Sequence, residues 1–380
     1  MNLDEAIAIA NASQSTTIHH GDCLNVMRTF ASDTFDSVVT DPPAGISFMG
    51  KAFDHDRGGR TQWITWLSER LAEAYRITKP GGRLLCWSIP RTMHWTGMAV
   101  EDAGWKIENV IAHLQGQGFP KSKTTLKPAR EDWWLARKPG KGKVPPLNID
   151  ECRVGLSGGT KKVSFTKQAP AVNAYDTGLN GPRGIAILGK GRWPANVVLS
   201  HSPGCVRLGE KRVAATSIHG VAVRRSGVHA EAWPQAIGRE QPVRGYADAD
   251  GKEPVAHYAC TDDCAVAGLD RKSGLGASRF FNTFDADQED QDEDDAQNEV
   301  VYEPKAGPTD RGGGNNHPTV KSTALMTHLC KLITPPGGLI LDPFCGSGST
   351  GKAALLEGFR FVGIEQDLNY VEIARVRLVR

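Results

Sequence analysis

The chain has 380 residues, enough to bury a sizeable core and to hold one large domain with an inserted or appended module, so two folding units are expected. Lysine and arginine total 45 against 43 aspartate and glutamate, and the resulting net charge of +2 does not by itself mark a nucleic-acid binder. Nine of the acidic residues and no basic one fall within Asp285–Glu299, so the rest of the chain is distinctly basic and suits a polyanionic partner.

At the N-terminus, MNLDEAIAIANASQSTT has neither the basic start nor the apolar core of a secretory signal. No apolar run approaches bilayer-spanning length, so a cytoplasmic protein with no membrane partner is expected. From about Thr16 to Lys138, β-type apolar runs alternate with helical stretches. DSVVT at 36–40 and RLLCWS at 83–88 read as buried parallel strands. Between them WITWLSERLAEAYRI has helical periodicity and stops at Lys79-Pro80-Gly81-Gly82, which predicts a βαβ unit with a turn at that point. From roughly Pro139 to Gly314 glycine, proline and basic residues dominate, which predicts a loop-rich insertion with short elements. From Asn316 onward the α/β pattern returns. A helix is expected at about 321–333, a strand in LILDPF at 339–344, a glycine turn, a helix through Leu356, a strand in FRFVGIE at 359–365 and a closing helix. The two ends together predict one interrupted α/β, doubly wound domain from residues 1–138 and 315–380, with 139–314 inserted.

The segment Leu341-Asp342-Pro343-Phe344-Cys345-Gly346-Ser347-Gly348-Ser349-Thr350 follows a strand and opens a helix. Glycine there lets the backbone turn sharply and approach a ligand, and the helix start offers unpaired N–H groups. About 20 residues on, the next strand ends in Glu365, followed by Gln366, and a carboxylate there can accept from ribose hydroxyls. A triphosphate loop is a poorer reading. Gly346 to Lys352 fits G-x-x-x-x-G-K, but Ala353 replaces the Mg²⁺-binding hydroxyl and Asp342 would repel the phosphates. A dinucleotide site lacks its third glycine.

Near the other end, DSVVT runs into Asp41-Pro42-Pro43-Ala44. A carboxylate and a backbone carbonyl held rigidly side by side can accept both N–H groups of an amine and stabilise a positive charge that develops there. Two prolines fix φ and leave carbonyls without intervening N–H groups. Asp41 is the expected acceptor, with the Pro42 carbonyl beside it.

DPFCGSGST resembles the S-adenosylmethionine-binding motif of DNA amino-methyltransferases, and His317-Pro318-Thr319-Val320-Lys321 resembles the segment that completes the methionine pocket there. The resemblance implies that Asp342, Phe344, Cys345, Gly346, Ser347, Gly348, Ser349 and Thr350 line the cofactor. It implies too that Glu365 and Gln366 hold the ribose side, and that Thr319 and Lys321 lie near the methionine end. Ser322 stands where a proline is usual. His20-Gly21-Asp22-Cys23 is similar to the segment that meets the cofactor adenine, with Asp22 as acceptor and Cys23 beside it. Gly118-Phe119-Pro120-Lys121-Ser122 and Lys127-Pro128-Ala129-Arg130-Glu131 also resemble family segments. The catalytic motif precedes the cofactor motif, an order similar to the β-group, phage or orphan type included. A permuted Rossmann-like class I methyltransferase acting on double-stranded DNA by base flipping is implied, with a homodimer expected. Asp at the head of the motif implies N6 of adenine; N4 of cytosine is the alternative. The family commonly has an aromatic residue where Ala44 stands, so Phe48, Trp87 or Trp193 would have to stack on the base, or the protein is a catalytically weak DNA-binding relative.

In the insertion and its approach, Lys121, Lys123, Lys127, Lys161-Lys162, Lys211-Arg212 and Arg224-Arg225 read either as solvated surface or as a phosphate-contacting face. Eight cysteines in a reducing compartment point to burial or metal ligation. His201-x-x-x-Cys205 and Cys260-x-x-x-Cys264 have the spacing of two ligand pairs for a structural Zn²⁺, with His257 an alternate ligand; unrelated buried residues are the other reading. The acidic run at 285–299 is too poor in apolar residues to fold alone, and reads as a solvated loop or a mimic of DNA charge.

Overall fold

The computed structural model describes residues 16–114, 126, 129–153, 161–163, 186–188, 194–202, 204–214, 252–262, 264–273, 277–284, 315–317 and 319–379. Its strands are β1 (Thr16–His20), β2 (Phe35–Thr40), β3 (Thr78–Ser88), β4 (Lys106–Leu114), β5 (Arg130–Arg137), β6 (Lys161–Val163), β7 (Ala186–Leu188), β8 (Val197–Ser200), β9 (Val206–Ala214), β10 (Lys252–Ala259), β11 (Asn282–Phe284), β12 (Leu339–Asp342) and β13 (Arg360–Glu365). Its α-helices are α1 (Cys23–Met27), α2 (Arg60–Ile77), α3 (Met93–Asp102), α4 (Ala265–Ser273), α5 (Thr323–Ile333), α6 (Ser349–Leu356) and α7 (Leu368–Val379). No described helix is long and apolar enough to cross a membrane.

Two compact units result. The first comprises Met1–Cys152, Pro194–Arg207 and Ala259–Arg380; the second comprises Arg153–Trp193 and Leu208–Tyr258. In the first, a nine-stranded sheet has the order β1-β13-β12-β2-β3-β5-β4-β8-β11. Pairing is parallel from β1 to β3, β5 runs antiparallel to both neighbours, and β4, β8 and β11 are again parallel. Residues 197–200 and 282–284, which composition assigns to the insertion, thus extend the sheet. In the second unit β6 and β7 pair antiparallel, with Lys161 opposite Leu188. A further pairing joins β9 to β10.

Successive strand residues point to opposite faces, and the central strands are apolar on both, as a sheet covered on two sides requires. Val38, Leu84 and Leu341 pack with Trp63, Leu67 and Leu71 of α2 and Ala99 of α3. Val39, Leu85 and Ile340 pack on the other face with Leu325, Met326 and Leu329 of α5, Ala353 of α6 and Ala374 of α7.

The expected turn at Lys79–Gly82 is a correction. Thr78 already pairs with Phe35, and pairing resumes at Arg83 opposite Ser37, so Lys79-Pro80-Gly81-Gly82 is an irregularity within β3 rather than a turn before it. Proline cannot donate to the ladder, which is why regular pairing breaks there. LILDPF is a strand only to Asp342, because Pro343 has no N–H and the glycine turn begins at once.

Asp342 ends β12, the third of the nine strands, and is buried. Its carboxylate accepts from Thr40 Oγ1 at 2.7 Å, Thr350 Oγ1 at 2.6 Å and the Phe344 N–H at 3.1 Å, so it joins the end of β2, the glycine turn and the start of α6. Burial pushes this carboxyl up to about 7, against those three donors. Between about pH 4 and the folded value the folded protein therefore keeps a proton that the unfolded chain has released, and this contribution to stability is lost as pH rises through about 7. Asp342→Asn removes the titration while keeping an acceptor. Urea unfolding at about pH 5 and about pH 8 should show stability falling with pH in the parent and a flatter profile in the variant; equal slopes would contradict the assignment.

Candidate active site

A cavity of about 1340 Å³ opens at the carboxyl ends of β2, β12 and β13, where parallel sheets place their ligands. It is lined by Asp22, Cys23, Asp41, Pro42, Pro43, Ala44, Thr319, Lys321, Asp342, Phe344, Cys345, Gly346, Ser347, Ser349, Thr350, Glu365 and Gln366. Residues from both ends of the chain thus share one wall. Gly348 does not line it.

The glycine turn has two different uses for its glycines. Gly346 has φ +51, and a Cβ there would lie 2.9 Å from His317 Nε2. His317 is set over the turn: its N–H donates to Asn315 Oδ1 at 3.0 Å, Asn315 Nδ2 donates to Ser347 Oγ at 3.1 Å, and its ring meets Tyr370 edge-on at 4.4 Å. Gly348 has φ +84 and would bring a Cβ 3.1 Å from the Ala374 Cβ, so it admits close approach of α7 to the start of α6. The Gly346 N–H donates to Glu365 Oε2 and the Asp367 N–H to Oε1, each at 2.8 Å. Burial raises the Glu365 pKa, and each carboxylate oxygen can accept a second hydrogen bond.

Beside Glu365, whose carbonyl accepts the Gly21 N–H at 2.9 Å, Asp22 caps α1 through the Asn25 N–H at 3.2 Å and pairs with Arg70 at 3.0 Å. The Arg70 and Arg57 guanidinium groups lie 4.5 and 4.6 Å from the Trp66 ring centre, and Trp66 is 5.7 Å from Phe344. Burial pushes the Cys23 thiol up to about 12, so it is a neutral wall group. Arg57, Trp66 and Arg70 were not among the expected site residues. The spacing of Trp66 and Arg70 on one helix face is the signal that could have paired them.

Asp41 follows β2. Lys321 Nζ lies 2.9 Å from its Oδ2, 3.8 Å from Glu131 Oε2 and 3.8 Å from the centre of the Trp87 ring. The Ala44 carbonyl accepts from Thr92 Oγ1 at 2.9 Å. Beyond it the chain wraps the buried Asp54, whose carboxylate accepts the N–H groups of Gly45, Ile46 and Phe48 at 2.8, 3.3 and 2.7 Å. Phe48 and Trp87 both line the cavity. Ser322, in place of the usual proline, is the N-cap residue of α5.

His201, Cys205, Cys260 and Cys264 converge, with their ligand atoms all within 4.8 Å of one another. Cys260 Sγ and Cys264 Sγ each lie 3.5 Å from His201 Nδ1. His257 is not in this group. Lys161-Lys162 lies on β6 and Lys211-Arg212 on β9, both in the second unit. Gly118–Ser122 with Lys121, Lys123, Lys127, Pro128, Trp193, Arg224, Arg225, Pro318 and the run at 285–299 lie outside the described residues.

Among known proteins, a stretch of the chain is 41% identical over 63 residues to the DNA adenine methyltransferase YhdJ of Escherichia coli K12, covering 17% of this chain and 21% of that protein. It is 47% identical over 62 residues to the type II methyltransferase M2.DpnII of Streptococcus pneumoniae, covering 16% of this chain and 23% of that one. The chain thus spans less than a quarter of the length of these relatives in its matches. Among solved structures, the M1.HpyAVI-SAM complex aligns over 96% of this chain and 98% of its own, with TM-score 0.43 and 15% identity. The PvuII DNA methyltransferase (cytosine-N4-specific) aligns over 96% and 86%, with TM-score 0.47 and 12% identity. The model of the family N6_N4_Mtase, described as DNA methylase, matches residues 35–376, a span that holds both the Asp41 loop and the Gly346 turn. The chain therefore belongs to the N6_N4_Mtase family of DNA methylases.

Proposed function

We propose that the protein transfers a methyl group from S-adenosylmethionine to N6 of adenine within a short specific sequence of duplex DNA. The observation that carries this reading is that the Asp41 carboxylate and the Gly346 turn open onto one cavity. The residues present fit the cofactor: the turn borders the cavity at Gly346 with no side chain of its own, and Glu365 keeps acceptor capacity for ribose hydroxyls. Asp22 is positioned for the adenine amino group, with Phe344 and Trp66 as apolar wall, and Thr319 and Lys321 lie toward the methyl end. When bound, S-adenosylmethionine supplies an activated methyl group.

The chain's own work is at the amine. A base within a duplex is reached by extruding it into the pocket. Asp41 accepts one amino N–H and the Pro42 carbonyl the other, which frees the nitrogen lone pair and stabilises the positive charge that develops there. Asp41 then takes the proton the nitrogen loses. Ala44 offers no ring for the base, and Phe48, held by Asp54 on the same cavity, takes the stacking role. Basic residues of the second unit are assigned to phosphate contacts. The three thiols and one imidazole at His201, Cys205, Cys260 and Cys264 are the donor set of a structural Zn²⁺ site, which would brace the entry to and exit from β9 and β10.

Four measurements test this. Asp41→Asn should slow single-turnover methyl transfer by about a hundredfold or more while calorimetric binding of S-adenosylmethionine is retained. In the same assays nucleoside analysis should show N6-methyladenine; N4-methylcytosine would overturn the adenine assignment. Phe48→Ala should weaken the catalytic complex by about 1–3 kcal/mol, roughly fivefold to 150-fold in rate or affinity, and an unchanged value would remove Phe48 from the base pocket. Elemental analysis should give about one zinc per chain, lost in Cys264→Ser together with thermal stability; no metal in freshly purified protein would end the zinc assignment.

A further inference from the structure

Glu131, at the start of β5, is 2% exposed and forms part of the cavity wall. A carboxylate so deeply buried is costly unless other groups replace its lost hydration. The Trp87 indole N–H donates to its Oε2 at 2.8 Å, Lys321 Nζ stands 3.8 Å from the same oxygen, and His113 Nδ1 stands 3.9 Å away. Lys321 is itself 6% exposed, lies over the Trp87 ring, and reaches Asp41 Oδ2 at 2.9 Å. One ammonium is therefore shared between two carboxylates that both border the cavity, and of the two Asp41 is the more exposed, at 19% against 2%.

Sharing the ammonium has two consequences for an amine acceptor. Lys321 is drawn toward Trp87 and Glu131 as well as toward Asp41, which pins the Asp41 side chain from one direction. By drawing part of the ammonium's field, Glu131 also leaves the Asp41 carboxylate less fully neutralised than a lone Asp41–Lys321 pair would be. A carboxylate that keeps more of its charge stabilises a cation developing at the amine.

We propose that Glu131 is a positioning residue for methyl transfer, which acts through Lys321 to hold and charge the Asp41 acceptor. This rests on the reading of Asp41 as the amine acceptor. Trp87 belongs to the same device, since its indole N–H fixes Glu131 while its face carries the ammonium.

The test uses the full-length protein, radiolabelled S-adenosylmethionine and unmodified DNA carrying the recognition sequence mapped from cells expressing the gene. Glu131→Gln keeps an acceptor for the indole and removes the charge. It should lower the single-turnover rate about tenfold or more, with KM for cofactor and DNA shifted by less than about twofold. Lys321→Met should also be slow, and adding Glu131→Gln to it should change the rate by less than about twofold further, because a residue acting only through Lys321 has nothing left to act on. Additive losses, an unchanged rate in Glu131→Gln, or a loss carried by the cofactor KM would each overturn the role. If Glu131→Gln does not fold, Trp87→Phe removes the indole donor and keeps the aromatic face. The same split of rate against KM is expected there, and an unchanged rate overturns the proposal. A slow Asp41→Asn beside a fast Glu131→Gln would sink the positioning role alone, whereas a wild-type rate in Asp41→Asn would remove the acceptor and this role with it.

Discussion

The pairing of β12 with β2 is the contact on which the site depends. Ile340 lies opposite Ser37 and Leu341 opposite Val38, which sets side by side two strands from opposite ends of the chain. Polar ties close the seam along its length. Asp36 accepts the Leu339 N–H at 2.8 Å where β12 begins, Ser37 and Thr334 share a hydrogen bond at 2.7 Å, and Thr40 bonds Asp342 at the carboxyl end. Because parallel strands present their carboxyl ends on the same edge, the loop after Thr40 and the turn after Asp342 must emerge together. That is how Asp41 and Gly346 come to face one cavity.

Much of the site is built from buried ionisable groups held by neighbours rather than by water. Asp342 bonds the two threonines and a backbone N–H, so it works as a joint between strands and is committed inward even though it borders the cavity. Asp54 gathers three backbone N–H groups and gives the loop after Ala44 a definite shape without regular secondary structure. Lys321 and Glu131 extend the same logic beneath Asp41. Each ion is affordable because its partners come from other elements already fixed by the sheet.

The inserted region joins this order through β8. His113 Nε2 and Ser200 Oγ are 2.9 Å apart, and Ser200 ends β8 immediately before His201 of the histidine and cysteine cluster. A polar path thus runs from Asp41 through Lys321, Glu131 and His113 to the residue beside that cluster, all of it within the first compact unit.

Elements whose periodicity is strong and whose punctuation is local are legible in the order of residues alone. The helix ending at Ile77, the strands around Val38 and Leu341, the glycine turn and the final strand and helix all stand where apolar spacing and glycine place them. Both motifs and the four residues of the histidine and cysteine cluster were legible too, since each rests on residue types at short spacing. Tertiary structure alone decided what depends on contacts between distant segments. It placed β8 and β11 in the main sheet although their surroundings read as loop, because three or four residues carry too little periodicity to reveal a strand. It turned Gly348 away from the cavity toward Ala374, set Trp66 and two arginines on the cavity wall, and put Glu131 and Lys321 on one ammonium-carboxylate chain. No local rule contains these facts, because the energy of a buried charge is set by which groups surround it in space.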